Sequence, residues 1–249
     1  MAQIIYGIHP VQEALRSSHT QFERIFVATQ NPNPELKGVL DLANQKQVPV
    51  TWTSKEDLAR LTKGGFHQNV AGLLHELSYA DLDDVLARQK KEGTTGLLLI
   101  LDSIQDPQNF GSLIRTAVGF GSHGMVIPKD RAVGITPVVI RASAGATAYL
   151  PIVRVVNIAH TIDILKKEGF WVYGASGEAK DPVYELDLTV DLAIVIGSEG
   201  RGIRPLVKKK CDRLFSIPMG GRISSFNAAV SGGMVLYEIM RQRRIKNNQ

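Results

Sequence analysis

Apolar positions along the chain fall into two regimes. Up to residue 78 they are sparse and periodic. Val11, Ala14 and Leu15 share one helix face, which predicts a helix over Pro10–Ser18. Leu36, Val39, Leu40 and Ala43 recur the same way over Glu35–Gln47, and Ser54 stands where a cap would open a third helix ending at Leu61. Arg24–Ala28, Val50–Thr53 and Asn69–His75 are short, apolar and strand-like. This first part reads as a compact α/β domain over residues 1–78. A polar stretch follows over 79–96, with one amphipathic set (Leu82, Val85, Leu86) ending at Gly93, and reads as a linker.

From Leu97 the pattern changes to unbroken apolar runs: Leu97–Leu101, Met125–Ile127, Ile152–Val155, Phe170–Gly174, Leu192–Ile196 and Leu214–Ile217. Helical stretches separate them, over about Phe110–Phe120, Thr136–Ala144, Asn157–Glu168, Arg204–Lys210 and Phe226–Arg244. Strands apolar on both faces and spaced by helices belong to a parallel sheet covered on both sides. The expectation for residues 97–249 is a doubly wound α/β domain.

Composition narrows the class. The 249 residues are 44% hydrophobic and 21% charged, the balance of an ordinary globular protein rather than a disordered one. The single cysteine, Cys211, excludes an internal disulfide framework and a thiolate-built metal site, and the six histidines form no ligand motif. No apolar run approaches a membrane span, and Met-Ala-Gln-Ile-Ile-Tyr-Gly lacks a secretion-signal pattern, so the expectation is a cytoplasmic protein without membrane or metal. The net charge of +5 is uneven: residues 1–78 carry 7 Lys/Arg against 7 Asp/Glu, whereas residues 97–249 carry 19 against 13. If a polyanion binds, its electrostatic attraction belongs to the second part, with Lys208–Lys210 and Arg241, Arg243, Arg244 and Lys246 as candidates. Charge alone favours a solvated face for such runs.

Two familiar nucleotide motifs drop out. Gly119-Phe-Gly-Ser-His-Gly124 matches G-x-G-x-x-G, but it follows a helix and precedes a strand, so it cannot wrap a pyrophosphate with helix N–H groups. It reads as a helix-end turn. No acidic residue stands in the place a nicotinamide cofactor needs, and no phosphate-binding P-loop occurs. The informative loops follow strands, where open α/β sheets gather ligands. After Leu101 comes Asp102-Ser-Ile-Gln-Asp-Pro-Gln-Asn-Phe-Gly-Ser-Leu-Ile-Arg115, with Asn109 near a helix start and Arg115 under two turns further on. After Ile196 comes Gly197-Ser-Glu-Gly-Arg-Gly202, whose glycines let backbone approach a ligand around Glu199. After Ile217 comes Pro-Met-Gly-Gly-Arg-Ile-Ser-Ser-Phe-Asn227. Taken singly, Asn109, Ser224, Ser225 and Asn227 read equally well as helix caps, and Gly197–Gly202 as a tight turn.

In order and spacing, "DSIQDPQNFGSLIRTA", "IVIGSEGRGI" and "SIPMGGRISSFNAAVS" resemble the three motifs of the SpoU (TrmH-like) RNA 2′-O-ribose methyltransferases of the SPOUT superfamily. "YGIHPVQEAL" and "HQNVAG" resemble the substrate-binding domain that precedes the catalytic domain in its ribosomal RNA enzymes, most closely those acting on large-subunit guanosine. The resemblance implies S-adenosylmethionine as cofactor, bound in a C-terminal trefoil knot with contacts from Gly197, Ile217, Met219 and Phe226. Phe226 departs from the family's usual Leu. Asn109, Arg115, Glu199, Ser225 and Asn227 are the implied catalytic set. The family assigns the central role to the motif-one arginine, sometimes as the base itself. Because a guanidinium is rarely deprotonated in proteins, the expectation here is that Arg115 stays a cation, fixes a phosphate and stabilises the developing alkoxide. The resemblance also implies a homodimer, with the last helix (Val230, Met234, Leu236, Tyr237, Met240) as its element, and ribosomal RNA as partner. His9, Gln12, His67, Gln68 and Asn69 are candidate RNA contacts of the first domain, whose zero net charge implies a grip through shape and hydrogen bonds. A tRNA 2′-O-methyltransferase and a catalytically silent RNA-binding protein remain as alternatives.

Overall fold

The structure, a computed structural model, describes residues 3–16, 22–74, 79–221 and 225–247. Chain contacts divide it into two units: residues 1–78 with 135–149, and residues 79–134 with 150–249.

Unit 1 begins with β1 (Gln3–Tyr6), α1 (Ile8–Arg16), β2 (Phe22–Val27), α2 (Pro34–Gln45), β3 (Val50–Trp52), α3 (Lys55–Leu61) and β4 (Val70–Leu74). Its sheet runs β1-β4-β2-β3, antiparallel except for the β2–β3 pair. β1 is a strand the hydrophobic pattern did not predict; four residues at a chain start carry too few alternations to register. The first helix starts two residues earlier than expected, since Pro10 in the first turn lacks only an N–H that would have no helical partner. Residues 17, 18 and 75, the expected ends of that helix and of β4, lie outside the described residues. Asn33 and Ser54 cap α2 and α3, accepting from Leu36 N at 2.9 Å and Asp57 N at 3.0 Å. Gln68 caps α1 through its side-chain oxygen, which accepts from Ile8 N at 3.0 Å. That commits one of the expected RNA contacts to the fold, while His9 stays exposed.

Residues 79–96 are not a linker. They form α4 (Leu82–Glu92), whose Val85 and Leu86 are buried in the unit 2 core, and Ala80 pairs with Val153. β5 (Leu97–Asp102) follows, then α5 (Pro107–Gly119) and β6 (Gly124–Pro128). As expected, Gly119–Gly124 is a helix-end turn, with Gly121 at a φ of 71°. The chain then leaves unit 2: α6 (Pro137–Ala142) packs on β1, and the 3-10 turn Ala146–Ala148 packs on α1. Tyr149 donates to Glu13 at 2.6 Å, and the Arg141 guanidinium lies 4.8 Å over the Tyr6 ring. Residues 135–149, expected inside the second domain, thus group with the first.

β7 (Ile152–Val155), α7 (Ile158–Lys167), β8 (Trp171–Ala175), β9 (Leu192–Gly197), α8 (Pro205–Lys210), β10 (Arg213–Phe215) and α9 (Ala228–Asn247) complete unit 2. All pairs of its six-stranded sheet, ordered β10-β8-β9-β5-β6-β7, are parallel. Every residue of β5, the run Leu-Leu-Leu-Ile-Leu-Asp, is buried between β9 and β6. Because successive side chains alternate faces, Leu98 and Ile100 join Val85, Ile162, Leu165 and Val207 of α4, α7 and α8 in one core cluster. On the other face α9 contacts β9, and α5 packs against α9. Helices on both faces are what the doubly apolar strands called for.

Candidate active site

β5 and β9 are neighbours, and their carboxyl ends carry the loops that the sequence singled out. β5 ends on Asp102, which is wholly buried. A carboxylate so placed requires a partner. Arg204 supplies two, its backbone N–H at 2.8 Å and its Nε at 2.7 Å, which pins the segment after β9 to the end of β5. Between them residues 198–202 double back. Gly202 N–H donates to the Ser198 carbonyl at 2.8 Å, and Gly202 takes a left-handed φ of 63° that glycine adopts without strain. The returning chain presses on Gly197: a Cβ there would stand 2.1 Å from the Gly202 carbonyl carbon and 2.3 Å from the Ile203 nitrogen. Only hydrogen fits.

α5 is capped by Asp106, whose carboxylate accepts from Gln108 N at 3.1 Å and Asn109 N at 3.3 Å. Asn109 is therefore not the cap. It sits in the first turn at 9% exposure with its amide directed at the other loops. Asn109 Nδ2 donates to Glu199 Oε1 at 2.8 Å, and Asn227 Nδ2 donates to Asn109 Oδ1 at 2.9 Å. Asn227 Nδ2 and the Ala228 N–H also reach Glu199 Oε1. Asn227 Oδ1 accepts from Ala229 N at 2.9 Å and Val230 N at 3.2 Å, so Asn227 caps α9 as well. One carboxylate and two amides thus fasten the three loops to one another in a cooperative network.

Two cavities of about 480 Å³ each border this fastening. The first is polar and includes Gln105, Asp106, Asn109, Arg131 and Arg204. The second takes in Gly197, Ile217, Met219, Ser225 and Phe226, with Ile196 and Ile203 as further apolar wall. Residues 198–202 and Ala228 line both. All four residues expected to hold a cofactor are together in the second cavity. Of the expected catalytic residues, Asn109, Glu199 and Asn227 meet directly. Ser225 faces the second cavity outside their network, and Ser224 lies outside the described residues. Arg115 is apart from them: it is exposed on α5 and lines neither cavity.

The basic runs are mostly engaged within the chain. Lys208 pairs with Glu178 at 3.1 Å, Lys210 with Asp163 at 2.7 Å and Arg241 with Glu238 at 2.7 Å. Arg243 donates to the carbonyls of Leu188, Thr95, Gly96 and Val190 at 2.8–3.2 Å, and burial pushes its pKa down. Much of these runs is therefore tied down by contacts within the chain. Cys211 donates to the Val207 carbonyl at 3.3 Å, and burial pushes its thiol up to about 12, so it offers no nucleophile near neutral pH. Among the described residues no group of His, Cys, Asp or Glu could hold a metal, and no helix is long and apolar enough to cross a membrane.

The residue that pattern reading undervalued is Asp102. Its signal was available: a carboxylate closing an otherwise apolar, doubly covered strand must be paired, and the partner has to come from a neighbouring strand's loop. Arg131 and Arg201, which also line the polar cavity, carried no comparable signal.

The parallel six-stranded sheet carries a glycine loop and an Asn–Glu–Asn fastening at adjacent strand ends, the position at which open α/β sheets bind ligands. A family model described as the SpoU rRNA Methylase family matches residues 96–237, and one described as RNA 2′-O ribose methyltransferase substrate binding matches residues 4–80. The chain belongs to the SpoU rRNA methylase family. It is 41% identical over 239 residues, 96% of this chain and 95% of the relative, to the 23S rRNA (guanosine-2′-O-)-methyltransferase RlmB of Coxiella burnetii. The SpoU methyltransferase AviRb of Streptomyces viridochromogenes, solved with AdoMet, superposes with a TM-score of 0.82 at 25% identity, covering 97% of this chain and 90% of that one. The TrmH/SpoU tRNA modifying enzyme of A. aeolicus, also 25% identical, superposes at 0.56 and covers 67% of this chain and 86% of that one.

The enzyme is thus an S-adenosylmethionine-dependent RNA 2′-O-methyltransferase. The second cavity fits the donor's chemistry. Ile196, Ile203, Ile217, Met219 and Phe226 offer apolar faces to an adenine, and the tight Gly197–Gly202 return leaves main-chain groups at its edge.

Proposed function

We propose that this chain methylates the 2′-hydroxyl of a guanosine in 23S ribosomal RNA, with the donor in the apolar cavity and the target nucleotide in the polar one. The carrying observation is the single loop, residues 198–202, that lines both cavities. It borders both a cavity lined by Asp106, Arg131 and Arg204 and one lined by Ile196, Ile203, Ile217, Met219 and Phe226, and transfer of a methyl group between two bound molecules requires such adjoining sites. The ribosomal assignment rests on the 41% identical relative, whose name gives that substrate and which matches 96% of this chain, whereas the tRNA enzyme matches only 67%. Such a substrate assigns the enzyme to the cytoplasm.

Bound S-adenosylmethionine supplies a methyl carbon already activated by its sulfonium, so the protein's tasks are alignment and the hydroxyl proton. Glu199 holds Asn109 and Asn227 in place, and the amides orient the ribose. Ser225, on the loop before α9, borders the donor cavity where the methyl group must face the ribose. Arg115 acts as a permanent cation on a phosphate and on the developing alkoxide. The proton leaves through phosphate or water. The SpoU match also supports a C-terminal trefoil knot, for which the close Gly197–Gly202 packing is suited.

Arg115 stands outside both cavities of its own chain, which supports a homodimer whose partner completes the site. α9 offers the surface: Val230, Met234 and Tyr237 recur at helical spacing and are 47%, 39% and 56% exposed. Phe120, just after α5, lies edge-to-face with Tyr237 at 6.4 Å.

The test is methyl transfer by the purified chain to 23S rRNA and to tRNA, with mapping of 2′-O-methyl sites in rRNA from a strain lacking the gene. Transfer to one 23S guanosine is expected; transfer to tRNA alone, or binding without transfer, refutes the proposal. Arg115→Lys is expected to lose most turnover, because an ammonium lacks the planar fork, and near-native turnover would remove Arg115's assigned role. Met234→Glu is expected to give monomers by analytical ultracentrifugation, with turnover falling alongside.

A further inference from the structure

We infer that Arg131 and Arg201 form a phosphate clamp on the rim of the polar cavity and grip the RNA backbone beside the target ribose. This rests on the proposed function, which puts the nucleotide in that cavity. The argument is one of unpaired guanidiniums. The cavity lining carries the carboxylates Asp106 and Glu199 and the guanidiniums Arg131, Arg201 and Arg204, with Asp102 beneath Arg204. Every one of those carboxylates is engaged. Asp102 holds Arg204, Asp106 caps α5, and Glu199 receives the two amides and the Ala228 N–H. Arg131 and Arg201 are exposed, and among the described residues neither makes a hydrogen bond or ion pair. Arg131 and Arg201 thus keep their guanidinium donors free for an anion from outside, while the nearby carboxylates are held by helix-capping and loop-fastening hydrogen bonds. The planar fork suits a phosphodiester.

The backbone supports the same assignment. Arg131 has a φ of 62° and Ser103, on the same cavity, a φ of 69°. Non-glycine residues in this region carry strain of order ~1 kcal/mol and concentrate at working sites. Val133 N–H donates to the Ile104 carbonyl at 2.9 Å, so the loop bearing Arg131 is tied to the cavity's own wall. Arg201 comes from the loop shared with the donor cavity. A clamp built from these two loops would register the RNA chain against the same segments that position Asn109 and Glu199.

The test measures binding of full-length 23S rRNA transcript across a potassium chloride series for the native chain, Arg131→Gly, Arg201→Gln, the double variant and the two Lys variants. Glycine at 131 accepts the left-handed backbone, so loss of fold does not cloud that variant. Each neutral substitution is expected to weaken RNA about tenfold. The double variant is expected to lower the slope of log K against log salt by about 1.5–2, one phosphate per arginine. Lysine is expected to restore the slope but only part of the affinity, since it keeps charge without the fork. S-adenosylmethionine affinity by calorimetry should not move for Arg131→Gly, a residue outside the donor cavity. Unchanged slopes overturn the clamp, as would a loss confined to S-adenosylmethionine, which would show the guanidiniums on its carboxylate. Methyl transfer by the native chain is assayed alongside. Its absence would defeat the proposed activity, while the binding slopes still decide the clamp.

Discussion

Gly197→Ala tests the central geometry most directly. The added Cβ would sit 2.1, 2.3 and 2.4 Å from three backbone atoms of Gly202 and Ile203. Ordinary contact begins near 3.4 Å, so the loop must open by about 1.3 Å, and backbone pinned by Arg204 on Asp102 cannot swing aside as a flexible side chain would. Over-packing of this kind costs about 3 kcal/mol, the upper end of its usual range. In a chain of this size that lowers the melting temperature by roughly 6–12 °C. The loop lines both cavities, and a 1 Å displacement of aligned groups lowers turnover by about 10²-fold. Scanning fluorimetry with and without S-adenosylmethionine, calorimetric titration of the donor and single-turnover methyl transfer read these effects separately. Gly200→Ala is the internal control: a Cβ there meets nothing within 4 Å, so its melting temperature should match the native chain's. If Gly197→Ala melts with the native protein and binds donor as tightly, the close return of residues 198–202 is wrong, and the two-compartment reasoning goes with it.

Other consequences lie at the amino ends of the strands, away from the site. Arg243→Ala leaves four carbonyls without their guanidinium and should cost about 3 kcal/mol in urea unfolding, with Arg243→Lys recovering a minor part. Turnover per folded molecule should stay native, and a stability within error of native would show that water replaces the clamp at no cost. His123 accepts from Leu97 N at Nδ1 and meets Thr94 Oγ1 through Nε2, an arrangement that needs a neutral ring protonated on Nε2. Burial lowers its pKa below 6.5, partly opposed by the Glu92 carboxylate. The unfolded chain then takes up this proton at higher pH than the folded one. The stabilisation is present above about pH 6.5 and is lost as pH falls through that value toward the lower folded pKa. His123→Gln should flatten the fall in unfolding free energy below pH 6.5, and parallel slopes for the two proteins would contradict the neutral assignment.

The sheet of unit 2 was legible because its strands are apolar on both faces, which leaves few alternatives to burial between helices. Strand boundaries moved by a residue or two where a polar end such as Asp102 or Gly197 still pairs in the ladder. The catalytic loops were legible as a group, but individual roles were not. Asn109 and Asn227 could each have been caps; in the fold Asp106 takes the first cap, and Asn227 serves as cap and network member at once. The pairings of Lys208–Lys210 were not legible, because a run of like charge says nothing about acids brought near by folding, and Glu178 and Asp163 come from other elements. The burial of α4 was hidden by its polar face. Only three of its residues, Val85, Leu86 and Gln89, are buried, too few to distinguish a packed helix from a connecting one.

The chain passes between its two units three times, after residues 78, 134 and 149. A protein beginning at residue 79 would therefore not be a methyltransferase shorn of an appendage. It would carry residues 135–149 without the β1 and α1 surfaces that receive them, turning Val139, Ile140, Ala146 and Ala148 toward water. Trading one substrate-recognising half for another within such a lineage demands that the newcomer accept this same inserted hairpin of sequence.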